Sequence, residues 1–115
     1  MTKIEMLYDN NVIAGFRMEG HAEFNPGGPD ILCSALSATS QMLINGILDW
    51  TGLDLEDIIQ EEHRRKAILK VVIPFAYCSS PTIQQLFKSF EIYIELLEKQ
   101  YEDNIKLERR QIDDN

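Results

Sequence analysis

Apolar residues recur at near-alternate positions through the first twenty residues: Ile4, Met6 and Tyr8 within 2–9, then Ile13, Phe16 and Met18 within 12–19. A period of two is that of a strand with one buried face. Asp9-Asn10-Asn11 tolerates the left-handed backbone of a tight turn, so the two runs read as an opening hairpin, irregular near Gly15. Three glycines and two prolines then crowd positions 20–29, where neither helix nor strand should persist.

From Asp30 the period changes. Leu32, Ala35, Leu36, Leu43, Ile47 and Trp50 recur at helical spacing until Thr51-Gly52, while Ile31, Ala38, Met42, Ile44 and Leu48 fill much of the remaining circumference. A helix apolar over so much of its surface is expected to lie between a sheet and a second cover. Residues 53–62 suit a strand or a short helix equally. Ala67 to Phe75 alternates again, with Pro74 marking its end, and Glu61 to Lys66 reads as the polar tip of a second hairpin. Ser79-Ser80-Pro81 is a helix-start signal. Ile83, Leu86, Phe87, Phe90, Tyr93, Ile94 and Leu97 then mark an amphipathic helix to about Tyr101, and Ile105 and Leu107 a closing strand to Ile112. The order β-β-α-β-β-α-β, with no repeat or linker, predicts one α+β domain over residues 1–115: a mostly antiparallel sheet packed against two helices.

Composition narrows the class. A chain of 115 residues can bury one modest core. Its net charge of −8 argues against direct binding to nucleic acid; it suits a basic partner, and plain solubility as well. No apolar run reads as long enough to span a bilayer, and MTKIEMLYDNN lacks the apolar stretch of a signal peptide. A cytoplasmic protein without membrane contact is therefore expected. Cys33 and Cys78 stand 45 positions apart with no CxxC and no paired histidines, which argues against a zinc site or a disulfide scaffold and implies no cofactor.

Two residues carry the candidate chemistry. His21 follows the second predicted strand directly. If Asp30 is the N-cap of the first helix, Cys33 occupies the third helical position, where free N–H groups and the helix dipole favour a thiolate. A nearby histidine can take the thiol proton, and backbone amides at the helix start would stabilise the oxyanion of acyl transfer. Each piece also has a bland reading, as a plain cap, a packed cysteine and a solvated histidine, and spacing alone leaves both open. Cys78 reads as structural and His63 as solvated in a charged tip. Trp50, Phe87, Phe90 and Tyr93 read as core or dimer contacts, and Arg64-Arg65-Lys66 is too short for a nucleic-acid patch. Glu91, Glu95, Glu98 and Glu102 form an acidic stripe expected on a solvated helix face.

Gly20-His21-Ala22, followed after a glycine-containing loop by Gly28-x-Asp30-Ile31-Leu32-Cys33-Ser34-Ala35-Leu36-Ser37-Ala38, resembles the ribosomal-processing cysteine protease (Prp, YsxB-like) family of Firmicutes and related bacteria. The resemblance joins two separated blocks and extends to length and element order. It implies a cytoplasmic, homodimeric cysteine protease with Cys33 as nucleophile and His21 as base. The substrate it implies is a precursor of large-subunit ribosomal protein twenty-seven, cut after aromatic residues and before a small one to remove an N-terminal extension. Asp30, Ser34 and Ser37 fall at positions that shape the site. Gly27 and Gly28 give freedom to a loop, Ala22 to Pro29, that orders around substrate. Asn25-Pro26 and Pro29 stiffen that loop, and Ser34 replaces the commoner alanine. By the same resemblance, the acidic stripe could attract the basic body of a ribosomal protein. Two rivals remain: a mobile-element paralogue with the same chemistry on a viral structural protein, and a non-catalytic dimeric binding module of the same fold.

Overall fold

Strands β1 (Thr2–Asp9) and β2 (Val12–Glu19) form the expected hairpin, with Met6 opposite Phe16 and Ile4 opposite Met18. In this computed structural model, residues 1–22 and 30–112 are described. The turn places Asn10 in the left-handed region. The irregularity expected near Gly15 is a register shift between Leu7 and Tyr8. A Cβ on Gly15 would meet the Val71 carbonyl oxygen at 2.0 Å, so only glycine lets the neighbouring strand approach there.

The second hairpin comprises β3 (Ile59–His63) and β4 (Ile68–Val72). A single turn of 3-10 helix at Leu55–Asp57 precedes it, so the ambiguous stretch holds both alternatives in succession. Phe75 does not extend β4. It opens a four-residue helix, α2 (Phe75–Cys78), and is largely exposed. Strand β5 (Ile105–Gln111) runs parallel to β1, giving the sheet order β3-β4-β2-β1-β5 with every other pairing antiparallel. The class is α+β.

Two long helices, α1 (Ile31–Thr51) and α3 (Pro81–Gln100), carry the core side chains opposite the sheet. On α3 the buried positions Ile83, Phe87, Phe90, Ile94 and Leu97 follow the predicted stripe, and Phe90 packs on Phe16 with ring centroids 4.9 Å apart. Helix α1 departs from expectation. Its buried residues form one stripe (Leu32, Leu36, Ser40, Leu43, Ile44, Ile47), while Ile31 and Met42 are 66% and 72% exposed and Trp50 is also outside. No second cover lies over that outer face among the described residues. The reading that no apolar run reaches membrane-spanning length is also corrected. By length and composition α1 could cross a bilayer, since its first charge is Asp49; here it packs as a core helix.

Over Glu91, Glu95 and Glu98 the acidic stripe is a seam and not a solvated face, whereas Glu102 lies past the end of α3 and is exposed as expected. Glu91 is buried (1% exposed) and accepts hydrogen bonds from Tyr8 Oη (2.5 Å), Arg109 Nε (3.0 Å) and Lys88 Nζ (3.1 Å). Glu95 accepts from Arg109, and Glu98 from the backbone of Leu107. These carboxylates fasten α3 to β5 and β1. Burial pushes the Glu91 carboxyl up, but the bonds from Tyr8 and Lys88 and the Arg109 charge outweigh it and hold the group below its ordinary value. Burial and the same bond push the Tyr8 hydroxyl up to about 12.

A carboxyl lowered on folding contributes stability above the ordinary carboxylate range, around pH 4.3, and loses it as pH falls through the folded value. Tyr8 works in the opposite sense: its share is present below about pH 10 and lost as pH climbs towards about 12. Because Lys88 and Arg109 keep water contact, Glu91→Gln is expected to cost ~2 kcal/mol near neutral pH, less than breaking a fully buried pair. Urea unfolding should show that gap closing as pH falls below about 4.

Candidate active site

Asp30 caps α1 with extended backbone, φ −95° and ψ 100°, and its carboxylate accepts from Leu32 N at 3.0 Å and Cys33 N at 3.1 Å. Cys33 is therefore the third residue of the helix, as the spacing predicts, with its side chain half-buried. The expected supply of free amides is altered. Those of Leu32 and Cys33 are committed to the Asp30 carboxylate, and that of Ser34 to the Asp30 carbonyl. None of the three is left to hold an oxyanion.

One backbone donor does face the sulfur. Ala22 N–H points at Cys33 Sγ across 3.4 Å. This bond joins the two sequence blocks directly, one residue after His21.

The segment 20–22 is pinned from several sides. Gly20 N donates to Ala67 O (3.2 Å), Thr2 Oγ1 donates to Gly20 O (3.2 Å), and Asn104 Nδ2 donates to Ala22 O (2.8 Å). Gly20 takes φ +95°, and a Cβ there would lie 2.5 Å from Met1 O, so the residue must be glycine. His21 leaves this clamp with its ring exposed. Nε2 lies 3.5 Å from the carbonyl oxygen of Arg65, and among the described residues no hydrogen bond joins the ring to Cys33 Sγ. Bonds of this kind are often long in an unliganded site and tighten on substrate.

His21 and Cys33 line one cleft of about 270 Å³. Ser37, one helical turn beyond Cys33, lines it too, and Met18, Leu36 and Ile68 give it apolar walls. Ser34 and Asp30 are not among the lining residues: Ser34 is exposed one step round the helix, and Asp30 acts on the backbone beneath. Gly27 and Gly28 lie outside the described residues, as do Asn25, Pro26 and Pro29.

His63 is exposed, as expected of a hairpin tip, but it lies on the wall of this same cleft with Glu62 and Arg64. Both histidines of the chain thus face one space. The His21 residue number gave no hint of that, although a chain with two histidines offers a short list to check. Asn104, 82 residues from its partner, had no signal at all. Cys78 is buried, and burial pushes its thiol up, with the Asp9 charge adding to the rise.

A half-exposed thiol at a helix start, opening with a histidine into an apolar-walled cleft, has the layout of a thiol hydrolase. The sequence matches the family Cysteine protease Prp over residues 1–106, and the chain belongs to that family and is a cysteine protease. None of the curated proteins matches it in sequence. Its fold is similar to that of the essential ribosomal processing protease Prp from S. aureus, solved with a covalently linked product peptide. That likeness has TM-score 0.77 at 20% identity over 96% of this chain and 100% of the other. The same S. aureus protease with a substrate peptide gives TM-score 0.75 at 19% identity, again over 96% and 100%. SMU.848 from Streptococcus mutans gives 0.80 at 19% identity, over 96% of this chain and 95% of that one. At these identities the likeness is one of fold.

Two outcomes follow from the geometry. Iodoacetamide at neutral pH should label Cys33 at least about tenfold faster than Cys78, read by peptide mass after brief exposure. Asp30→Ala should cost about 1 kcal/mol in urea unfolding, while Asp30→Asn, which keeps an accepting oxygen, should cost only a fraction of that.

Proposed function

We propose that this protease removes the N-terminal extension of a ribosomal protein precursor, large-subunit protein twenty-seven, using Cys33 as nucleophile and His21 as base. The observation that carries the chemistry is the Ala22 N–H on Cys33 Sγ, which brings the thiol to within one residue of His21 along the chain. The substrate reading is supported by family membership and by the ribosomal processing named for the S. aureus relative.

Cys33 Sγ attacks the scissile carbonyl, and the carbonyl oxygen becomes an oxyanion. Because the helix-start amides serve Asp30, the Ala22 N–H is the backbone donor at the reacting atom. Collapse of this intermediate breaks the C–N bond, with His21 giving the leaving amine the proton it took from the thiol. Water, deprotonated by the same ring, then hydrolyses the thioester and returns Cys33. The Arg65 carbonyl opposite Nε2 orients the ring between these steps.

The cleft runs along α1 from Cys33 past Ser37 to Gln41. The eight helical steps from Cys33 to Gln41 rise about 12 Å, enough for three or four residues of extended peptide. Met18, Leu36 and Ile68 would receive an aromatic side chain before the cut. The exposed apolar face of α1 fits the homodimer that the family resemblance implies.

Incubation with the precursor, followed by sequencing of the new N-terminus, tests the reading. Wild-type protein should cut after an aromatic residue, Cys33→Ser should lose about a thousandfold or more in rate, and His21→Ala between about a hundredfold and ten-thousandfold. Cleavage that survives Cys33→Ser sinks the assignment.

A further inference from the structure

The turn at 101–104 leads into β5 and is held by its own backbone. Asn104 N donates to Tyr101 O and Asn104 O accepts from Thr2 N, both at 2.8 Å, where β1 and β5 begin to pair. Asparagine is common in turns because it tolerates the left-handed region, yet Asn104 does not adopt a positive φ. The backbone here accepts other residues, and what asparagine adds is its side-chain amide. That amide donates to Ala22 O at 2.8 Å. Since the partner is a carbonyl oxygen, only the N–H side of the amide can serve it.

Ala22 is fully buried, and two peptide planes meet at it. Asn104 holds one plane by its carbonyl, and the other carries the N–H that faces Cys33 Sγ at 3.4 Å. On the far side of His21, Thr2 Oγ1 holds Gly20 O and Ala67 O holds Gly20 N. His21 therefore hangs between two fixed points of backbone, and these rather than a ring-to-sulfur bond set its place beside the thiol. Asn104 is not among the residues that line the cleft, so it reaches the site only through Ala22.

We infer that Asn104 is a positioning residue for the cleavage. Its amide, acting through Ala22, aims the N–H that meets the oxyanion and keeps His21 in step with Cys33. The inference rests on the protease reading above and adds to it a residue that touches neither the substrate nor the reacting atoms. Its loss should slow turnover without weakening binding, because the cleft walls Met18, Leu36 and Ile68 stay in place.

Asn104→Asp, which keeps the size and removes the donor, and Asn104→Ala are compared with wild type on a peptide bearing an aromatic-alanine junction, with circular dichroism checking the fold. Both should lower kcat about ten- to hundredfold and leave KM within about twofold. Glu91→Gln, which loosens the α3 seam, should keep the wild-type kcat and so controls for lost stability. A wild-type kcat in Asn104→Asp, a loss carried by KM, or an equal loss in Glu91→Gln overturns the inference. Amide hydrogen exchange needs no substrate. Measured against the Ile73 N–H, which donates to Ala14 O within the sheet, the Ala22 N–H should exchange about tenfold faster in Asn104→Asp than in wild type. An unchanged ratio also overturns it. Wild-type protein that cleaves no peptide counts against the protease reading, and the exchange ratio still decides whether Asn104 holds Ala22.

Discussion

The peptide units on either side of Ala22 are shared by three parts of the chain. Its N–H points at the Cys33 sulfur on α1, its carbonyl accepts from Asn104 just before β5, and its backbone continues from the end of β2. Ala22 is fully buried, so both polar groups must be satisfied inside the protein. Each partner comes from a different element, and none can shift without leaving a buried group unpaired. The apolar stripe Leu32, Leu36, Leu43, Ile44 and Ile47 seats α1 against the core, and this constraint fixes the start of that helix, so that the thiol opens beside His21.

Charge is zoned around that arrangement. On β1, β2 and β5, Glu5, Arg17 and Arg110 form a cross-strand lattice, to which β3 adds Glu61. On the helix side, Glu91 and Glu95 tie α3 to Arg109 of β5. These pairs consume three of the five arginines in structure. What remains uncompensated gathers at the β3–β4 turn, next to the cleft, so the acidic bulk of the molecule surrounds a basic edge at its site.

Much of the fold was legible because local chemistry and tertiary context agree. Near-alternate apolar residues in β1 and β2, the Ser80 cap and Pro81 of α3, and the Asp30 cap of α1 each specify their element within a few residues. The errors lie where exposure depends on partners distant in sequence. The stripe Glu91, Glu95 and Glu98 has the period of a solvated face, and only the return of β5 beside it supplies Arg109 and the Leu107 amide. The outer residues of α1 are apolar without being covered, which a one-dimensional pattern cannot distinguish from burial. At the site, the helix start and its thiol were readable from a four-residue spacing. The clamp was not, because Thr2, Ala67 and Asn104 reach segment 20–22 through folding alone, and the same holds for His63.

The bond from Asn104 to Ala22 spans 82 residues and comes from the turn immediately before the last strand. Contacts of such long separation form late, after the loop between them has closed. A growing chain that has emerged only through α3 has its cysteine and its histidine but lacks the group that fixes the backbone between them. The same holds for Glu91, whose partner Arg109 arrives still later. Completion of the thiol's setting is thus coupled to synthesis of the C-terminal strand: a half-made chain carries Cys33 and His21 without the clamp that fixes the backbone between them.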